Sequence, residues 1–164
     1  MLQPATGELT YTTPEGTTRL LQFPAFGEGA RAFDLPLESV IGHGVLVDLH
    51  PSRRGHDLIS GLHGAWGKSR IHMLRAVGGS PTLALAEAAR GRFIYVNSWS
   101  GHAASPYDLA AGALLIHGAG GRVINTRGHD IDPLRHQGPL IAGVDPDALE
   151  RVRSVIESGA PSSG

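Results

Sequence analysis

The chain has 164 residues, 41% hydrophobic and 18% charged, which is one domain's worth of globular polypeptide with apolar material for a sizeable core. Its 14 Lys and Arg against 15 Asp and Glu leave a formal charge of -1, so no global field draws it to nucleic acid or to an anionic membrane. The absence of cysteine excludes disulfides and thiolate metal sites.

In chain order, ELTYTT and GTTRLLQF read as strands joined by a turn at Thr13-Pro14-Glu15-Gly16, a β-hairpin. From Phe23 to Leu37 no period emerges. From Gly44 onward strand and helix signals alternate. GVLVDL is a buried strand, Leu58, Ile59, Leu62 and Trp66 recur at helical spacing, and RIHMLRA is a second strand. SPTLALAEAARG then reads as a helix, RFIYVN as a strand, SPYDLAAGALLIHGAGG as a helix, and RVIN and PLIAG as strands. Asp145 to Ser158 closes the pattern as a helix with Leu149, Val152, Val155 and Ile156 on one face.

Three helices open with a short oxygen-bearing residue before proline: Ser80-Pro81, Ser105-Pro106 and Asp145-Pro146. The first side chain accepts from unpaired N–H groups of the first turn, and proline there gives up no needed donor. The fold class expected is α/β, a layered mixed-sheet domain preceded by a short antiparallel β segment. The organisation expected is a hairpin and irregular segment over 1–37, the α/β domain over 38–158 and a frayed tail over 159–164. No run approaches the ~20 apolar residues that span a bilayer, and the start MLQPATGELTYTT has neither a basic head nor an apolar stretch. A cytoplasmic chain with no nucleic-acid and no membrane partner is the expectation.

Asp108 is the residue whose chemistry most needs an account. Ser105-Pro106-Tyr107-Asp108 fits a capping box, in which the carboxylate reaches back to the first N–H groups and favours the positive helix end. On periodicity alone that role suffices.

The order of residues also carries a resemblance. YDLAAGALLIHGAGGRV resembles the W-D-x-A-A-G-x-x-x-x-x-E-A-G-G segment of the inositol monophosphatase family, magnesium-dependent and lithium-sensitive sugar phosphatases. Arg75 to Gly91 is similar to that family's R-x-x-G-S helix segment, and GPLIAGVDPDALERVRSVI to its last strand and helix. ATGELTYTTPEG resembles family strands that belong to a larger N-terminal sheet, so 1–37 reads as a remnant of that sheet.

The resemblance implies that Asp108 is a Mg2+ ligand that also contacts a substrate hydroxyl, and that Gly79 and Ser80 line the alcohol side of a polyol or sugar phosphate. It implies a phosphate monoester hydrolase. The family's acidic box D-P-x-D-G-T, which supplies most metal ligands, is not among these residues, and Asp132-Pro133-Leu134-Arg135 does not replace it. The glutamate of E-A-G-G, a polyol contact in the family, is Gly118. The chain alone is therefore expected to be inactive. The alternative is a non-catalytic binding or interaction module on the same fold. Strands without their family neighbours also lead to an expected homodimer, or a complex with a separate N-terminal chain, through residues 8–26.

Two other constellations carry chemistry that an ordinary loop also explains. His129, Asp130, Asp132 and His136 carry metal-ligand chemistry on a turn-like segment, where a solvated polar loop is the simpler reading. Ser98 and His102 place a nucleophile and a base close in sequence, but without a G-x-S-x-G elbow. His43, His50, His56 and His63 form no motif.

Overall fold

The computed structural model describes residues 1–3, 6–23, 29–37, 44–49, 53–68, 71–77, 80–98 and 106–159. Gly79, Ser105, His43, His50, His102 and the tail beyond residue 159 lie outside the described residues.

Near the start, β1 (Leu2–Gln3), β2 (Glu8–Thr12), β3 (Thr18–Gln22) and β4 (Arg31–Asp34) form an antiparallel sheet in that order. The turn between β2 and β3 falls where the sequence places it. Gly16 there has φ 87, and its N–H donates to the Thr13 carbonyl at 2.9 Å. The segment without sequence period supplies β4, whose backbone pairs with β3 and whose Asp34 meets Arg19 at 2.7 Å.

The second sheet contains β5 (Gly44–Asp48), β6 (Met73–Val77), β7 (Phe93–Asn97), β8 (Arg122–Asn125) and β9 (Leu140–Gly143). Its order is β6-β5-β7-β9-β8, with β5 parallel to β6 and β7, and β9 antiparallel to β7 and β8. Helices α1 (Arg53–Gly67), α2 (Pro81–Ala89), α3 (Pro106–Gly118) and α4 (Pro146–Gly159) complete the described elements. None is long and apolar enough to cross a membrane.

Strand alternation divides the core in two. Val45, Val47, Ile94 and Val96 pack with Leu58 and Leu62 of α1 and Leu149 and Val152 of α4. Leu46 and Tyr95 point the other way, into a cluster with Leu85 of α2, Ile116 of α3 and Leu20 of the antiparallel sheet. The result is four layers: antiparallel sheet, α2 with α3, mixed sheet, and α1 with α4. A sheet covered on both faces needs apolar residues at consecutive positions, hence GVLV, IYV and LIAG.

Small residues bring α2 and α3 close. A Cβ on Gly112 would lie 2.6 Å from Leu85 Cβ, so no larger residue fits without separating the helices. The caps behave as their chemistry requires: Ser80 Oγ accepts from Leu83 N at 3.3 Å, and Asp145 Oδ1 accepts from Asp147 N and Ala148 N at 2.9 and 3.0 Å.

Arg90, only 4% exposed, ties the first sheet to α2. Its Nη1 donates to Glu8 Oε2 at 2.8 Å and contacts Glu87 Oε1 at 3.1 Å, while Nη2 donates to Thr10 Oγ1 at 3.2 Å. Burial alone would raise the Glu8 carboxyl, but bonds from Gln22 and Arg90 outweigh it and hold it below the usual carboxylate range.

Two expectations about faces need correction. Trp66 does not join the core of its helix: it is 46% exposed and stacks edge-on with His63, while Leu58, Leu62 and Ala65 turn inward. Within residues 8–26, where the sequence leads to an expected association surface, Leu20 does not share a face with Leu9 and Tyr11. It pairs with Thr10 on the side toward the helices, whereas Leu9 pairs with Leu21 on the opposite side.

Candidate functional site

Parallel strands followed by helices place all their strand C-termini and helix N-termini on one edge, where ligands of open α/β sheets bind. Here β6 leads to α2, and β7 leads to α3. The first turns of the two helices are joined directly, because Thr82 Oγ1 donates to the Asp108 carbonyl at 2.8 Å. Ser80 and Asp108, picked from the sequence 28 positions apart, therefore stand on adjoining helix starts.

Asp108 is exposed, in the first turn of α3, where the helix dipole favours negative charge. Ser80 is exposed and occupied as the cap of α2. Gly79 and the Ser105 partner of the capping reading fall outside the described residues. The two accounts of Asp108 thus share one location, and binding experiments distinguish them.

Beneath these helix starts lie polar strand ends that sequence reading passed over. Asp48 closes β5 and is paired in register with Asn97 at the end of β7. Both are buried, and both follow by two positions a residue that packs toward α2 and α3. Tyr95 OH donates to Asp48 Oδ2 at 3.4 Å. Burial, and next the Asp48 charge, push the Tyr95 phenol far above its ordinary value. The signal available was a carboxylate and an amide ending otherwise apolar strands.

Ser98 is fully buried, and its Oγ donates to the Asp48 carbonyl at 2.7 Å. That bond holds the ends of β5 and β7 together, a structural use of the hydroxyl. The His129–His136 segment is a polar loop. Asp130 takes both bonds of the Arg122 guanidinium at 3.0 Å, which hold its carboxyl below the usual range, and Asp132 Oδ1 accepts from Leu134 N at 2.9 Å. His136 Nε2 lies 3.2 Å from the Pro139 carbonyl.

Position 118 is not on the ligand edge at all. Gly118 ends α3, ten residues after Asp108 and so about 15 Å along the axis. A Cβ there would lie 2.7 Å from the Gly16 carbonyl and also strike Thr18 Oγ1. The hairpin docks onto this glycine, and Thr18 Oγ1 donates to the Leu115 carbonyl at 2.9 Å.

A groove of about 660 Å³ opens elsewhere, between Leu20, Phe33, Leu35 and Leu37, with Gln22 and Asp34 on its wall. Its lining is mostly apolar, and it lies by β3 and β4, away from the helix starts.

No protein-family model and no curated protein matches the chain. Solved structures do. An inositol monophosphatase from Anabaena (Nostoc) sp. PCC 7120 superposes with a TM-score of 0.59 at 19% identity, over 90% of this chain and 61% of that one. The fold is inositol monophosphatase-like. The extragenic suppressor protein suhB from Bartonella henselae gives 0.57 at 18% identity, over 87% of this chain and 53% of that one. A hypothetical Pyrococcus horikoshii protein with similarities to inositol-1 monophosphatase gives 0.56 at 18%, over 89% and 55%. This chain spans little more than half the length of these structures, so it carries part of the inositol monophosphatase-like fold.

Magnesium demands near-octahedral oxygen ligation, usually with two or more carboxylates or phosphates beside water. Among the described residues no three His, Asp or Glu side chains converge. Asp108 offers one carboxylate at the edge, and that of Asp48 is turned to Tyr95. The described residues do not by themselves compose a magnesium site.

Proposed function

We propose that this chain is the alcohol-binding portion of an inositol monophosphatase-like phosphatase. It holds the polyol part of a polyol or sugar phosphate monoester at the joined starts of α2 and α3, along Gly79, Ser80 and Asp108. Hydrolysis needs further oxygen ligands for Mg2+, and the chain on its own does not turn over. A cytoplasmic setting belongs to the same reading.

The observation that carries the proposal is the bond from Thr82 to the Asp108 carbonyl, which fixes two helix N-termini side by side on the ligand edge. A carboxylate repels phosphate and accepts from hydroxyls, so Asp108 suits the alcohol side of the ester. The positive ends of the two helix dipoles favour oxygen atoms of a ligand at the same edge.

Phosphate release and calorimetric binding with myo-inositol 1-phosphate test this reading. We expect binding without release, and a loss of about 10-fold or more in Asp108→Asn, the size of a charge-assisted hydrogen bond. Release by the isolated chain that vanishes in Asp108→Asn would mean that a full catalytic site assembles from these residues. A chain that binds but never hydrolyses, even when Mg2+ and the missing ligands are supplied by a complementing polypeptide, fits the non-catalytic module instead.

A further inference from the structure

Thr82 stands half-buried in the first turn of α2, with its Oγ1 2.8 Å from the Asp108 carbonyl. A hydroxyl has one proton and two lone pairs, and a carbonyl can only accept. The direction of this bond is therefore fixed, and the Thr82 proton is committed to Asp108. Toward a ligand, Oγ1 can act only as an acceptor.

The oxygen is also held in place. One turn further along the same two helices, a Cβ on Gly112 would lie 2.6 Å from Leu85 Cβ, so α2 and α3 are clamped at two points. A side chain on rigidly packed helices is a more precise acceptor than one on a loop. Asp108, exposed at the same place, carries a carboxylate, which is acceptor-only as well. Two acceptors of different residues thus meet at one point of the ligand edge.

We propose that Thr82 determines the specificity of the alcohol subsite: its Oγ1 accepts a hydrogen bond from one ligand hydroxyl while the Asp108 carboxylate accepts from the neighbouring one. This rests on the alcohol-side reading of the site and makes it narrower. The ligand class is a phosphate ester with two adjacent hydroxyls, because each acceptor needs its own donor. A phosphate dianion has no proton to offer and gains nothing at Thr82.

The test compares myo-inositol 1-phosphate, glycerol 1-phosphate and propyl phosphate by calorimetry; the last two differ only in a pair of adjacent hydroxyls. Wild type should prefer glycerol 1-phosphate to propyl phosphate about 10-fold or more. Thr82→Val keeps the shape of the side chain and should weaken both polyol esters about 5-fold, roughly a single neutral hydrogen bond, with propyl phosphate unchanged. Thr82→Ser, which restores the hydroxyl, should bind as wild type does. In an Asp108→Asn background, where the backbone carbonyl remains, Thr82→Val should still cost the same factor.

Polyol affinity unchanged in Thr82→Val, with Asp108→Asn impaired, would overturn this inference and leave the alcohol-side reading standing. So would an equal loss for propyl phosphate, which is general damage to the edge, or no further loss in the Asp108→Asn background, which means that Thr82 acts only through the carboxylate. A Thr82→Ser protein as weak as Thr82→Val would overturn it too. No binding of any polyol ester by folded wild type would overturn both readings. If Thr82→Val fails to fold, Thr82→Ala decides by the same comparison.

Discussion

The two sheets of this molecule meet water differently. The mixed sheet has helices on both faces, and its strands β5, β7 and β9 are buried almost end to end. Among the described residues, the antiparallel sheet has helices on one face only. Its other face carries Leu2, Leu9, Tyr11 and Leu21, half-buried or exposed. One sheet is therefore held by packing on two sides, and the other by a one-sided seam of Thr18, Leu20, Thr10 and Arg90 against α2 and α3.

The largest expected effect lies in the doubly covered sheet. Leu62→Ala removes a fully buried side chain between α1 and the strands and should cost about 2–5 kcal/mol in denaturant unfolding. Leu2→Ala, at 60% exposure on the open face, should stay within about 0.5 kcal/mol. Equal losses would mean that the open face is covered after all.

This contrast also explains what could be read from the sequence. Apolar runs such as GVLV and LIAG announce strands buried on both faces, and Ser80-Pro81 and Asp145-Pro146 announce helices, because those signals are local. β4 escaped because Arg31–Asp34 is exposed at every position and is strand only through its pairing with Leu20 and its neighbours in β3. Asp108 was legible through its motif and Ser80 through its cap. Asp48 and Asn97 were not, since only the parallel register of β5 with β7 brings them together. Position 118 misled for a similar reason: its meaning depends on a hairpin a hundred residues away in sequence.

Next in size is the seam between the sheets. Gly118→Glu must displace the hairpin, because even a Cβ approaches the Gly16 carbonyl to 2.7 Å. We expect about 1–3 kcal/mol of destabilisation, read as a lower melting temperature. An unchanged melting temperature would show that the hairpin does not rest on α3.

Arg90→Met should cost about 1–3 kcal/mol, since it leaves Glu8 and Glu87, both only partly exposed, without their cation. The same pairing sets a pH dependence. Glu8 is depressed in the folded chain, so its contribution is present above the ordinary glutamate range and is lost as pH falls through its lower folded value. Acid titration followed by hydrogen exchange should free β2 and β3 before β5 and β7. Simultaneous release would contradict the one-sided seam.

The smallest effect concerns the open face itself. Strands of two, five, five and four residues, about 4.8 Å apart and rising about 3.4 Å per residue, cover roughly 260 Å², so two copies packed through this face bury about 520 Å², below the ~1,200 Å² of specific dimers. Self-association through residues 8–26, the partner proposal carried over from the sequence, should therefore be weak. Light scattering should show dimer only at high concentration, abolished by Leu9→Lys with Leu21→Lys. A tight dimer that ignores both substitutions would place the contact elsewhere.

The most direct test of the whole account is where a polyol phosphate binds. Amide chemical shifts of the chain titrated with myo-inositol 1-phosphate should move at Ser80, Thr82 and Asp108, and Asp108→Asn should suppress those shifts. Shifts confined to the groove of Leu20, Phe33 and Leu37, or unaltered by Asp108→Asn, would contradict it.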